Sequence, residues 1–375
     1  MIPIKKEAML VSPKDIKPTS SKLEVVGTFN PAAARLPNGD IILYVRVAEK
    51  MKPGSVEDKK YFYTPRCVGR DTCKIQFDKF KKEDVKMKSD SDIVFKDDTK
   101  RLLFLSHFRR VILDKTGFKI KSIDKKPSFT GLKTNGELGV EDPRIAKIGD
   151  KYIMTYVSLS RQGNISTSLA VSKDCLKWDR KGTIFSEQNK DVSLFPEKFN
   201  KFYYTFNRPE SGFQFTPPHI WISSSKDLSN WGHNRPLILS RKGKWDYERV
   251  GAGPPPIKTK RGWLLLYHGV IERNLSSPVI ISGSSVVHTS ASYEVGAALF
   301  DLKSPRNLIA KAPEPILSPN KNYEKTGYVN NVIFPTGLVM DENGEDLLLF
   351  SGGADSVTTV KKISLKDVFK AMKKA

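Results

Sequence analysis

Apolar positions in this chain come in short unbroken runs, each entered through a turn-forming pair. Asn38-Gly39-Asp40 leads into Ile41-Ile42-Leu43-Tyr44-Val45-Arg46, and Gly149-Asp150-Lys151 leads into the run from Tyr152 to Ser158. The same pattern returns at Asn200-Lys201 before Phe202 to Arg208, at Arg261-Gly262 before Trp263 to His268, and at Asn343-Gly344-Glu345 before Asp346 to Ser351. Each copy reads as a hairpin turn and a buried strand that ends on a polar residue. A second pattern lies between the copies: Ser172-Lys173-Asp174 with Trp178, then Ser225-Lys226-Asp227 with Trp231. These read as the outer hairpins of successive sheets. Helical periodicity is nearly absent until Ser364, which can cap a helix over about 364–374 carrying Leu365, Val368, Phe369 and Met372.

Five copies of one strand signal predict an all-β chain: a five-bladed β-propeller over residues 1–375 as a single domain, with a short C-terminal helix. A β-sandwich with fortuitous turn signals is the competing arrangement. Residues 50–135 are the hardest to place; they hold a lysine-rich stretch, Lys81 to Lys88, and a strand-like run, Leu102 to Ile112. If the repeated strands line a central funnel, their polar ends converge there: Arg46, Ser158, Arg208, His268 and the Asp355 region. The stretch Gly251 to Pro256 ends in three prolines and is expected to form a rigid turn at the funnel rim, not a phosphate-cradling loop.

The main chemical signal is Gly139-Val140-Glu141-Asp142-Pro143-Arg144-Ile145. Pro143 lacks a backbone donor and drives Asp142 away from helical angles, so the paired carboxylates sit at the edge of an element, where they can face a ligand. A solvated acid in an Asp-Pro turn is the plainer reading of the same residues. Composition narrows the classes. Hydrophobic residues make up 39% and charged residues 28%, as in globular soluble proteins. No apolar run reaches bilayer length, and Met1 to Lys17 has no apolar signal core. Three cysteines, Cys67, Cys73 and Cys175, lack zinc spacing and read as reduced thiols of a cytoplasmic protein. The net charge of +22 favours anionic partners, but the lysines are dispersed and no nucleic-acid-binding signature accompanies them. Neither nucleic acid nor a membrane is expected as partner. Serine-hydrolase elbows, zincin helices, Walker loops and calcium loops are missing from the sequence, and no metal or cofactor is expected.

Taken in order, Phe29-Asn30-Pro31-Ala32-Ala33, Tyr44 to Val47, Leu105-Ser106-His107, Gly139 to Arg144, Asn189-Lys190-Asp191 with Leu194 to Lys198, and Asn207-Arg208-Pro209 form a series. It continues through Gly251 to Pro256, Trp263 to Val270, Tyr293 to Ala298 and Gly352-Gly353-Ala354-Asp355. From about Phe29 to Val360 the chain thus resembles glycoside hydrolase family 130, the β-mannoside phosphorylases and related mannosidases, which are five-bladed propellers. The resemblance implies an inverting attack of inorganic phosphate on a β-mannoside, giving α-mannose 1-phosphate. It implies Asp142 as the proton donor, acting through a mannose hydroxyl. It implies Arg208, His268 and Lys190 as the phosphate set, and Asn30, Arg46, Asp355 and Glu141 as residues that hold the sugar. Arg66 and Arg70 are further residues within reach. The physical logic agrees: an inverting hydrolase needs a second carboxylate to activate water, whereas phosphate is already nucleophilic and needs cations. A β-mannoside hydrolase using Glu141, Glu197 or Glu248 as base stays open, as does a non-catalytic propeller binding anionic glycan or nucleic acid. The acceptor sugar and linkage depend on 50–135 and 271–292, and the oligomeric state is left open.

Overall fold

Burial on both faces accounts for the repeated apolar runs. We describe the chain from a computed structural model covering residues 1–375 apart from 57, 214, 275–278, 282, 283, 287 and 288, with side chains described outside 272–290. Its framework is five antiparallel sheets. The first holds Leu23–Arg35, Ile41–Met51, Phe104–Leu113 and Ile120–Ile123. The second holds Gly139–Ile148, Lys151–Ser160, Asn164–Ser172 and Asp179–Phe185. Asn189–Leu194, Tyr203–Pro209, Ile220–Ser225 and Gly232–Ile238 make the third. The fourth is built on Arg249–Ala252, Gly262–Asn274, Thr289–Phe300 and Leu308–Lys311. In the fifth, Ile333–Met340, Asp346–Gly353 and Val357–Ser364 are joined by the N-terminal strand Ile4–Val11, which pairs with Val357–Ser364.

Side chains alternate across a strand, so a strand in the middle of a stack sends them into two cores. Ile41, Leu43 and Val45 enter the core shared with the fifth sheet, while Ile42 and Tyr44 enter the core shared with the second. Leu264 and Leu266 face the fifth sheet, and Trp263, Leu265 and Tyr267 face the third. The same sharing links the second sheet to the third. Each sheet therefore shares a core with the next, and the fifth shares one with the first.

The repeated run is the second strand of its sheet, not the innermost as the sequence suggested. The strand ahead of it is the central one. Leu23–Arg35, Gly139–Ile148, Asn189–Leu194 and Arg249–Ala252 pack successively on one another, and Ile333–Met340 packs on the first two of these. Three of these first strands carry the same irregularity. The pairing jumps between Phe29 and Ala32, between Glu141 and Arg144, and between Lys190 and Ser193, so two residues face one on the neighbouring strand. The first bulged residue is Asn30, Asp142 or Asp191, with φ of 48°, 48° and 52°. Asparagine and aspartate are among the few side chains that settle in this left-handed region.

Residues 52–103 form an insertion between the second and third strands of the first sheet. It comprises a hairpin, Tyr61–Cys67 with Ile75–Lys81, and a small sheet of Val85–Lys88, Asp92–Phe95 and Lys100–Leu102. Cys67 and Cys73 are joined by a disulfide, and Cys175 is the buried free thiol. This corrects the expectation of three reduced thiols: the hairpin turn, closed by Val68 N–H donating to the Lys74 carbonyl, brings the two cysteines together. It also removes the thiol count as an argument for a reducing compartment. The outer hairpins at Ser172-Asp174 and Ser225-Asp227 join the third and fourth strands of their sheets, as expected. The C-terminal helix is shorter than expected. Ser364 caps Leu365–Lys370 through the Asp367 N–H, and Lys373–Lys374 then pairs as a strand beside Leu308–Lys311. Backbone groups at Ala310 and Lys311 were free to take another strand, which competes with a further helical turn. Among the described residues no helix is long and apolar enough to cross a membrane. Much of the expected acceptor-choosing segment 271–292 lies outside the described residues.

Candidate active site

The central bulges aim three polar side chains inward and gather most of the expected residues into one network. Asp142 accepts from Asn30 Nδ2 at 2.9 Å and from Arg46 Nη1 at 2.9 Å. Arg46 also binds Glu141 through Nη2 at 2.6 Å and Ser106 through Nε at 3.2 Å. Its guanidinium lies 4.5 Å from the Phe29 ring centre and 5.9 Å from that of Phe104, so it is held in plane as well as in charge. Asn30 needs its neighbour to be glycine: a Cβ on Gly352 would fall 2.0 Å from Asn30 Oδ1. Three residues on, Asp355 takes up a left-handed backbone beside Arg46, Asp142 and Glu141.

A second cluster is centred on Asp191, a fully buried carboxylate that the sequence reading assigned no role. Its Oδ1 pairs with Arg144 Nη2 at 2.8 Å and its Oδ2 with Arg208 Nη1 at 2.5 Å. His268 Nε2 lies 3.0 Å from Arg208 Nη1 and 3.5 Å from Asp191 Oδ2. Arginine only donates, so Nε2 must accept and the imidazole proton sits on Nδ1. Arg208 Nη2 meets Glu210 at 2.6 Å. Arg144 ties the two clusters together, donating from Nη1 to the Asp142 carbonyl at 3.1 Å and from Nε to the Gly253 carbonyl at 2.8 Å. Gly251 is therefore not part of a rim turn as expected. It lies in a strand, where a Cβ would come within 2.2 Å of Asp191 Oδ2 and 2.3 Å of His268 Cε1. Lys190 faces Arg208 across the strand pair, and among the described residues it has no ion-pair partner.

Other expectations fall elsewhere. Ser158 closes a ladder with Ser166 and Ser168 inside the second sheet. Arg66 is locked on Asp78 by two bonds of 2.8 and 3.0 Å, and Arg70 is exposed on the hairpin turn; neither lines the site. Glu197 pairs with Lys258 at the surface. Asp191, Arg144, Ser106 and Glu210 went unassigned because single polar residues in a strand, or just past its end, give no periodic signal. Aligning the strands ahead of each repeat would have revealed Asp191, since it follows Lys190 as Asp142 follows Glu141 and Asn30 follows Phe29.

Electrostatics separate the carboxylates. Burial raises Asp142, but Arg46, Asn30 and Arg144 outweigh it and hold the carboxyl below its usual range. Glu141 is raised, by burial and by the Asp142 charge, despite Arg46. Burial pushes Asp355 up to about 7, helped by Asp142 and Glu141 and opposed by Arg46. His268 is pushed down to about 3 by burial and by the nearby arginines, against the pull of Asp191, so the ring is neutral at working pH. A carboxyl whose folded pKa is raised lends stability below its unfolded pKa and loses it as pH rises through the folded value. Asp355→Asn is therefore expected to gain stability relative to the parent as pH rises from about 4 to about 7, read from urea midpoints. A pH-independent difference would show that Asp355 is already ionised. A cavity of about 860 Å3 opens from Arg46, Glu141 and Lys190 and is walled by the insertion and the second sheet.

Comparison with known proteins bears on this geometry. A family model described as β-1,4-mannooligosaccharide phosphorylase matches residues 114–374. β-1,2-Mannobiose phosphorylase of Listeria innocua is 34% identical over 355 residues, 93% of this chain and 92% of its own. 1,2-β-Oligomannan phosphorylase of Thermoanaerobacter sp. is 38% identical over 259 residues, covering 68% and 78%. The structure of the Listeria β-1,2-mannobiose phosphorylase in complex with β-1,2-mannobiose matches with a TM-score of 0.81 at 32% identity, over 96% of both chains.

Proposed function

We propose that this chain, which belongs to glycoside hydrolase family 130, cleaves β-mannosides with inorganic phosphate, β-1,2-linked mannosides first among them. The five sheets are the blades of one propeller, closed where Ile4–Val11 completes the fifth; the ring of shared cores supports this reading. The linkage rests on the β-1,2-mannoside relatives. One observation carries the reaction: a pocket holding the cations Arg208, Arg144 and Lys190 and the neutral donor His268 adjoins the Asp142–Arg46–Asn30 cluster. A phosphate dianion needs such cations and no base. Glu197 is paired with Lys258 on the surface and Glu141 is engaged by Arg46, which speaks against either as a water-activating carboxylate.

In this reading mannose lies on Asn30, Arg46 and Asp355, with its anomeric carbon toward Arg208. Phosphate enters on Arg208, Lys190 and the His268 Nδ1–H, displacing the Glu210 carboxylate from the Arg208 fork. Its oxygen attacks C1 from the face opposite the leaving group. Asp142 delivers the proton to the departing oxygen through a mannose hydroxyl, and the product is α-mannose 1-phosphate. Arg46, Asn30 and Arg144 by themselves hold Asp142 low, the wrong direction for an acid. An arriving dianion raises it, since a nearby like charge disfavours ionisation. No cofactor beyond phosphate is required.

The test is product analysis on β-1,2-mannobiose with and without phosphate. Mannose 1-phosphate formed only with phosphate is the expected result; free mannose at the same rate without it would make the chain a hydrolase. Arg208→Ala should raise the phosphate KM at least tenfold more than the mannoside KM, since one charged hydrogen-bonded contact is worth roughly 1.5–3 kcal/mol. Equal shifts in both would place Arg208 on the sugar.

A further inference from the structure

The cavity beside Arg46 extends beyond what the reaction itself occupies. Its volume of about 860 Å3 lies toward the upper end of the roughly 300–1,000 Å3 usual for ligand sites. One leaving sugar seated against Glu141 and Phe104 leaves most of it unfilled. The remaining wall is shared by the second sheet, with Leu159 and Ile165, and the insertion, whose aromatic features there are Phe80 and Phe95. These rings belong to none of the five cores, yet are half-buried against each other with centres 5.1 Å apart. The pair is braced by a charged network. Arg101 lies 5.8 Å over the Phe80 ring and pairs with Asp78 at 2.5 Å, and Asp78 also holds Arg66. Strand Ile75–Lys81 is thereby fastened to strand Lys100–Leu102. Half-buried aromatic rings fixed in a cavity wall, with charged groups at Lys100 and Glu187 around it, suit a ligand with one apolar face and many hydroxyls. A pyranose ring has that character.

We infer that Phe80 and Phe95 form a distal subsite for a further mannosyl unit on the leaving-group side, so that the chain favours mannosides of three or more units over the disaccharide. This rests on the phosphorolysis proposed above. The inserted hairpin and small sheet then act as the chain-length gauge, while the five sheets carry the reaction.

The test compares kcat/KM for phosphorolysis of β-1,2-mannobiose and β-1,2-mannotriose, in the parent and in a Phe80→Ala/Phe95→Ala variant. The parent should favour the triose. The variant should lose about tenfold on the triose, mainly through KM, as expected when the two rings together hold the sugar by about 1.4 kcal/mol. Its rate on mannobiose should stay within about twofold, which also reports that it has folded. Phe80→Tyr should keep the preference. Equal losses on both substrates, or an unchanged triose preference, would overturn the subsite while leaving phosphorolysis standing. If neither substrate gives phosphate-dependent product in the parent, the reaction itself is misassigned and the inference falls with it.

Discussion

Asp142→Asn should lower phosphate-dependent release of mannose 1-phosphate by about 10²–10⁴-fold, the usual worth of a positioned general acid. The backbone argues that the fold survives. Asp142 sits at φ 48°, and asparagine tolerates that left-handed conformation as well as aspartate does. Its amide oxygen can still accept from Asn30 and Arg46, and Arg46 keeps Glu141 as its counter-charge. The variant therefore loses the transferable proton and little else. Two measurements separate chemistry from collapse. The urea midpoint should change little, and a substrate whose leaving group needs no proton, such as a nitrophenyl mannoside, should recover most of the rate. Near-parent turnover of mannobiose would remove Asp142 from the proton-donor role.

Asp191→Ala should give the largest loss of stability, about 3–5 kcal/mol, because it strips the counter-charge from buried cations. Arg144 and Arg208 both end on this carboxylate, and among the described residues Arg208 would keep Glu210 as its one carboxylate partner. Burial tends to raise Asp191, but Arg208 and Arg144 outweigh it and hold the carboxyl well below the usual range. Such a group stabilises the fold above the unfolded carboxylate pKa and loses that contribution as pH falls. The parent should thus lose part of its advantage over the variant on acidification. Asp191→Asn, which keeps the shape and removes the charge, should cost less stability but still raise the phosphate KM. Urea unfolding of both variants, with kinetics on the milder one, checks this. A milder variant with unchanged phosphate KM would leave Asp191 a purely structural counter-ion.

These two residues also mark where the sequence was legible. The repeated strands announced themselves because they are buried on both faces, which forces runs such as Leu264 to Tyr267 to be apolar throughout. The strands that carry the chemistry are interrupted by Asn30, Asp142 or Asp191 and by bulges, so no period-two pattern survives in them. Asp142 was found through its proline and the family resemblance. Asp191 has no proline after it and was passed over. Long-range convergence explains the rest: nothing local to Arg144 shows that it reaches the Gly253 carbonyl, and nothing local to Arg66 shows that Asp78 detains it. The insertion was opaque because its strands are short and their side chains mostly half-exposed.

The last sheet takes three strands from residues 333–364 and its fourth from residues 4–11. During synthesis residues 4–11 must wait for residues 357–364, more than 340 positions later, before they can pair, and the core between the first and fifth sheets cannot fill until then. Domains whose contacts span nearly the whole sequence pay loop-closure entropy late and fold slowly. A nascent chain held on the ribosome through an added C-terminal extension should accordingly stay sensitive to protease until the extension is long enough for residue 364 to clear the exit tunnel, and then become resistant in one step.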